Sequence, residues 1–329
     1  MSATITANDQ AVNHLAGFVP VQLHTLRSTR ADAADLFVQY EPHCEPMLYS
    51  RAGSRPNEQQ FAELQEAGVE SLYVRNDDFY TFSSDLMDSL ESLLQQESLP
   101  KTEKFAALQL AVAVEIEQTL RLVDCGKFRA VAEKVGHDLV DLLGDAEVLP
   151  RELFRIARHD FNTFTHVTNV ASYSVILAQR MGITDALELR KIASAAILHD
   201  VGKRFIPASI LTKPGRLDPE EREIIETHPL RGFEELCQRT ELEFGQLMMV
   251  YQHHERVDGT GYPVRIMNGE IHPWAKLLAV TDVFDAMTAR RPYRRPATPE
   301  YVLEYQRQQA GTHFDREVVE CWISVMSKA

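Results

Sequence analysis

The segment LRKIASAAILHDVGK (189–203) decides how the rest of the chain is read. Its apolar first part predicts a buried helix, and the run stops at His199-Asp200, followed by Val201-Gly202-Lys203. A buried imidazole beside a carboxylate at a helix end is a natural metal-ligand pair: His supplies a neutral nitrogen, and Asp an oxygen that can bridge two ions. The dipeptide alone proves little. His159-Asp160 occurs in the same chain without the apolar helix or the Gly-Lys sequel, and it reads as a solvated helix face.

Downstream of this segment the chain reads as helical to its end, with chemistry-bearing residues at intervals. Asp218-Pro219-Glu220-Glu221 combines an N-cap, a first-turn proline and an acid at the third position, and Thr298-Pro299-Glu300 repeats the first two of these signals. His228 precedes Pro229 near the end of the first of these helices, and His253-His254-Glu255 ends the apolar stretch LMMVYQ. Asp282 lies within LLAVTDVFDAM, on a helix opened by Pro273 whose interior face carries Leu277, Leu278, Thr281 and Phe284. Each alone has a plainer reading, as a satisfied core histidine or an aspartate paired with an arginine. Neighbouring His253 and His254 project about 100° apart on a helix, so both reach one site only if the helix ends there or the site holds more than one ion. A ligand set of His and Asp with no Cys suits iron, manganese or nickel at least as well as zinc. Asp258-Gly259-Thr260-Gly261 has the glycine freedom of a tight turn over a ligand, as against a plain surface turn. Arg290, Arg291, Arg294 and Arg295 are the densest basic cluster, able to match phosphate oxygens in two-point fashion, as against a solvated face.

The front of the chain differs. Up to Pro150 it carries 24 acidic and 11 basic residues, and beyond it 24 and 23, so most of the net charge of -14 belongs to the front. Eight of the 12 histidines lie in the back. This balance argues against a general nucleic-acid binder, which concentrates positive charge to displace counterions. Val19, Val21 and Leu23 alternate with polar or turn residues, as do Leu36, Val38 and Tyr40, and VESLYV (69–74) reads as a further strand. Asn57 caps a short helix carrying Phe61 and Leu64 that Gly68 ends. Helical periods follow from Ser84, from about Thr102 to Val123 and from Lys127 to Leu143, and read as core or dimer packing. Cys44, Cys125, Cys237 and Cys321 form no CxxC pair, which fits a reducing cytoplasm. No export signal and no stretch long enough to span a membrane is read.

Taken together, HDVGK (199–203), ILTKPGRL (210–217), the His228-Pro229 step, HHERVDGTGYP (253–263) and AVTDVFDAMTARRPYR (279–294) resemble the HD-GYP family of the HD phosphohydrolase superfamily, in the family's order and over about residues 150–325. The resemblance implies an all-α HD-type catalytic domain (150–329), and with the patterns before it the chain reads as α+β overall: a small N-terminal α/β domain (1–100) for sensing or dimerisation and a helical linker (101–149). It implies hydrolysis of cyclic di-GMP to linear pGpG, and onward to GMP in some members, by a metal-bridging hydroxide. The implied metal ligands are His166, His199, Asp200, His228, His253, His254 and Asp282. Asp200 and Lys203 are the implied catalytic pair, and Lys203, Gly261, Tyr262, Pro263, Arg291 and Arg294 the implied substrate contacts.

Members with a third metal carry a glutamate four residues before the first histidine, and here that position is Asn162, so two divalent ions are expected, iron first and manganese or nickel as alternatives. Val257 replaces an aromatic residue frequent before the DGTGYP segment. Cyclic di-GMP is the expected ligand, and a diguanylate cyclase domain docking at the GYP loop and a second copy of the chain are the expected protein partners. Two other readings stand beside this one: a low-turnover dinucleotide- or partner-binding module, and a phosphohydrolase of another cyclic dinucleotide or of a nucleoside monophosphate. The intact ligand set favours the enzyme, and the GYP loop with Arg291 favours a ligand with two phosphates.

Overall fold

The protein is described by a computed structural model covering residues 17–28, 32–41, 44–69, 71–75, 125–144, 163–211, 213, 215–238, 241–289 and 296–327, with shorter runs between 77 and 109. The chain divides into two compact units, Met1–Gln96 and Glu97–Ala329.

The first unit is α/β. Strand β1 (Phe18–Gln22) runs into helix α1 (Leu23–Ser28), followed by β2 (Leu36–Val38), β3 (Met47–Ser50), α2 (Glu58–Glu66) and β4 (Ser71–Arg75). The strands form one sheet in the order β1-β4-β2-β3, with every pairing antiparallel. The alternation read through Leu23 stops one residue earlier, because Leu23 begins α1. Leu36, Phe37 and Val38 are buried in succession, so β2 is covered on both faces, and Tyr40 lies beyond it, exposed. On α2, Asn57 and Gln60 form a reciprocal capping box, Phe61 and Leu64 are buried, and Gly68 follows at a φ of 75°.

The described part of the second unit is built on helices. Helix α3 (Cys125–Leu143) is followed by α4 (Thr163–Arg180), α5 (Ala186–Leu198), a 3-10 turn (Val201–Phe205), α6 (Ala208–Leu211), α7 (Pro219–Glu226) and α8 (His228–Leu236). Then come α9 (Phe244–Gln252), a second 3-10 turn (Asn268–Glu270), α10 (Pro273–Thr288), α11 (Pro299–Gln308) and α12 (Arg316–Ser327). The starts of α7 and α11 are those the sequence signals: Asp218 accepts from the Glu221 amide and Thr298 from the Tyr301 amide.

Helix α4 is the central one, buried without a break from His166 to Ala178. A helix buried on every side needs neighbours on every side, and α4 packs against α3, α5, α10 and α12. Tyr173 of α4, Phe284 of α10 and Trp322 of α12 meet edge-on or tilted, with ring centres 5.1 to 5.9 Å apart. Each such pair adds roughly 0.5–1.5 kcal/mol beyond the area it buries. Ser174 and Thr281 hydrogen-bond between the same two helices α4 and α10 at 2.8 Å, which satisfies two buried hydroxyls and fixes the axial register of the pair. That register sets His166 opposite Asp282. Among the described residues no helix is long and apolar enough to cross a membrane.

Candidate metal centre

Helix α5 buries all of Ile192 to Leu198 and ends at His199, so His199 and Asp200 are delivered into the interior by the hydrophobic packing of the helix before them. The 3-10 turn then lies against the start of α8. A Cβ on Gly202 would stand 1.9 Å from the His228 carbonyl oxygen and 2.6 Å from the Gly232 amide nitrogen, so only glycine lets these backbones approach. The contact brings Asp200 and His228 together, with Asp200 Oδ1 3.3 Å from His228 Nε2. Helix α9 ends at Gln252, so His253 and His254 fall at and just past its end and both turn toward His228. The angular difficulty of adjacent histidines is thus resolved by helix termination.

The seven residues converge in two sets. His166, His199 and Asp200 form one, with donor atoms within 4.8 Å of one another, and His228, His253 and His254 the other. Asp200 stands between them: Oδ2 is 3.4 Å from His199 Nε2, while Oδ1 faces His228 Nε2 and lies 4.0 Å from His253 Nε2. Asp282 joins the first set, its Oδ1 lying 3.1 Å from His166 Nε2 and 3.9 Å from His199 Nε2.

The protonation of these rings follows from their other nitrogens. Nδ1–H of His199 donates to the Ala196 carbonyl at 2.6 Å, that of His228 to Ile225 at 2.8 Å, and that of His253 to Val250 at 2.8 Å. A carbonyl only accepts, so Nδ1 carries a proton in each ring and the neutral tautomer turns its Nε2 lone pair to the cluster. His228 Nε2 and His253 Nε2 are only 3.2 Å apart, an arrangement that a shared cation satisfies. His199 Nε2 and Asp200 Oδ1 are buried without a hydrogen bond, a state that a coordinated ion relieves. The donor set therefore fits divalent metal.

The electrostatics agree. Burial, then the neighbouring His228, push His254 down to about 3. Burial, then His254 and His199, hold His253 well below its usual range, so both rings offer lone pairs at neutral pH. For Asp200 burial acts to raise the carboxyl, but His199 and Lys203 reverse this and hold it well below the carboxylate range. His166 is the exception: burial would lower it, yet hydrogen bonds to Asp282 and Asp285 raise it to about 9. An ion bound at Nε2 would displace that proton.

Lys203 Nζ donates to Asp200 Oδ2 at 2.5 Å. Tyr262 lies over the second set, its ring 4.7 Å from that of His254 and 6.4 Å from that of His228, and the Tyr262–Pro263 peptide is cis. A Cβ on Gly261 would meet the Arg256 nitrogen at 2.4 Å and the His254 carbonyl oxygen at 2.6 Å, so this glycine lets the loop close onto the end of α9. Arg291, Arg294, Arg290, Arg295, Asn162 and His159-Asp160 lie outside the described residues, as does most of the helical stretch expected from Thr102 to Val123. Val257 packs with Ile271, Ala275 and Ile266 in a small apolar cluster.

The sequence reading omits the residues behind the ligands. Asp285, one turn after Asp282, accepts from His166 Nδ1 at 2.7 Å and from Asn169 Nδ2 at 2.9 Å, and Gln109 in turn donates to Asn169. A carboxylate behind a ligating histidine orients the ring and strengthens it as a donor. The i, i+3 spacing of Asp282 and Asp285 on an apolar helix is the signal that points to it.

Residues 152–318 match the family described as HD domain, and the chain belongs to it. With HDVGK at 199–203 and HHERVDGTGYP at 253–263, it falls in the HD-GYP branch of that family. It is 36% identical over 178 residues to the cyclic di-GMP phosphodiesterase response regulator RpfG of Xanthomonas campestris, covering 54% of this chain and 47% of that protein. It is 41% identical over 160 residues to the 3'3'-cGAMP-specific phosphodiesterase 2 of Vibrio cholerae, covering 48% of this chain and 30% of that one. The chain thus spans less than half the length of these two relatives. An HDG"Y"P protein from Bdellovibrio bacteriovorus shares the fold, with a TM-score of 0.68 at 17% identity over 94% of this chain and 99% of the other.

Proposed function

We propose that this chain is a metal-dependent phosphodiesterase that opens cyclic di-GMP to linear pGpG. The observation that carries this reading is Asp200, whose two oxygens face separate sets of imidazole nitrogens in a buried space where its Oδ1 and His199 Nε2 lack a hydrogen bond. Support also comes from relatives named for cyclic di-GMP hydrolysis. In this reading His166, His199, Asp200 and Asp282 hold one divalent ion, and His228, His253 and His254 hold a second with Asp200 shared. Bound there, the ions supply an activated water at neutral pH and neutralise charge on the phosphoryl oxygens. Lys203, tied to Asp200, adds a positive charge beside the phosphate, and Tyr262 bears on the ligand from above the second set. Arg291 and Arg294 take the second phosphate.

The finer parts of the proposal are iron as the metal, with manganese or nickel as substitutes, and two ions rather than three, because Asn162 offers no carboxylate. The 150–329 segment is the catalytic domain, joined through 101–149 to a sensory or dimerising front domain, and the chain acts in the cytoplasm. The loop at Gly261, Tyr262 and Pro263 is the proposed docking point for a diguanylate cyclase domain.

The test is purification without oxygen, metal counting, and chromatography of cyclic di-GMP digests beside His199→Ala and Asp200→Ala. Linear product from the wild type alone, with two ions per chain, is expected. Binding without turnover under iron, manganese or nickel would replace this reading with a binding module. Because three relatives are named for 3'3'-cGAMP, that dinucleotide is run in parallel, and a higher kcat/KM for it would reassign the substrate.

A further inference from the structure

Glu255 follows directly on His253 and His254 and is 2% exposed, so its position in the chain suggests a further ligand. Its oxygens are engaged elsewhere. Oε1 accepts from the Val264 amide at 2.7 Å and the Arg265 amide at 3.1 Å, and Oε2 from Arg265 at 3.1 Å and Ile266 at 3.3 Å. Arg265 has a φ of 65°, the one positive value at a non-glycine among the described residues. A left-handed residue in such a run turns successive N–H groups to one side, producing a concave anion-binding nest. Among the described residues no ion pair reaches Glu255, so these amides are what satisfies a buried carboxylate.

The nest lies immediately after the signature loop. On the N-terminal side of the nest, the Tyr262 amide donates to the His254 carbonyl at 3.1 Å. Farther along, the His272 amide donates to Gln252 Oε1 at 2.7 Å. The last turn of α9 and the residues after it therefore do two jobs: His253 and His254 face the cluster, while Gln252, the His254 carbonyl and Glu255 pin the returning chain.

We infer that Glu255 is the positioning residue for substrate, locking the 264–266 backbone so that Tyr262 is fixed above His228 and His254. This rests on the proposed hydrolysis of a cyclic dinucleotide, in which Tyr262 bears on the ligand. It assigns Glu255 neither metal nor proton transfer.

The test is Glu255→Gln, which keeps size but sets an NH2 group against amide donors whichever way it turns. Hydrogen exchange at the 264–266 amides should speed up about tenfold or more, the scale of a charge-assisted hydrogen bond lost. Metal content should stay unchanged. KM for the cyclic dinucleotide should rise about tenfold, with kcat held within about threefold. Hydrolysis of bis(4-nitrophenyl) phosphate, which presents no nucleobase, should be unaffected. Arg265→Gly keeps every amide of the nest and should behave as wild type.

Unchanged exchange and KM in Glu255→Gln overturn the inference. So does a joint fall in metal content, kcat and bis(4-nitrophenyl) phosphate hydrolysis, which would place Glu255 in the centre itself. Should the variant not fold, unprotected 264–266 amides in the wild type refute the lock unaided. If the wild type hydrolyses no cyclic dinucleotide, the catalytic reading fails while the exchange rates still decide the lock.

Discussion

Replacing Gly202 with alanine tests whether backbone proximity, rather than the ligands alone, makes the second ion site. The added Cβ would stand 1.9 Å from the His228 carbonyl oxygen, whereas an ordinary C···O approach is about 3.3 Å, so the 3-10 turn and α8 must part by about 1.4 Å. Asp200 immediately precedes that turn and His228 opens α8, and their facing atoms are 3.3 Å apart. A single ion with bonds of about 2.1 Å joins two donors at most about 4.2 Å apart. Transmission of about 0.9 Å of the movement therefore separates Asp200 from His228 beyond a shared ion. The overpacking itself should cost about 1–3 kcal/mol. Metal analysis after anaerobic desalting should find the ion of His228, His253 and His254 lost first, with that of His166 and His199 retained. Circular dichroism should show the helices intact. Two retained ions, full turnover and an unchanged melting midpoint would refute the reasoning.

Further expectations follow from the same geometry. Asp285→Asn removes the carboxylate behind His166 and should weaken metal binding about 10–100-fold in a chelator competition, with unchanged affinity counting against the role assigned to it. In the metal-free chain His166 is raised to about 9, so its ion pairing stabilises fully below its unfolded value near 6.5 and is lost as pH rises through about 9. Denaturant titrations of chelated protein at pH 6 and pH 10 should thus show about 3 kcal/mol more loss in wild type than in His166→Gln, and equal losses would reject the pairing. Trp322→Ala, remote from the ligands, should cost about 3–5 kcal/mol in urea unfolding, and a cost below about 1 kcal/mol would mean that the aromatic junction of α4, α10 and α12 is not a keystone.

What the sequence makes legible tracks the range of the forces involved. Helix starts at Asn57, Asp218 and Thr298 are readable because a cap is settled within four residues. Strand β3 is not, because Met47 and Leu48 are exposed on an outer strand and carry no alternation. Helix α1 is missed because Leu23 continues the strand pattern and turns only in the context of the sheet. The candidate ligand residues stand out singly, but that they meet is read from the resemblance, since His166 on α4 and Asp282 on α10, for example, come from helices far apart in the chain. Glu255 and Asp285 are legible as acids and not as supports, because their roles rest on backbone amides and on a ring supplied by other parts of the fold.

The hydrogen bonds from His199, His228 and His253 to Ala196, Ile225 and Val250 couple metal choice to helix length. Each accepting carbonyl belongs to the last turn of α5, α7 or α9, where backbone acceptors outrun intrahelical donors. The imidazole is therefore a C-terminal stopper as well as a candidate ligand. A carboxylate in its place could hold a harder cation, yet it has no N–H to give and would take this side-chain donor from the helix end. Drift of these positions toward oxygen ligands is thus resisted by the scaffold, before any selection on catalysis begins.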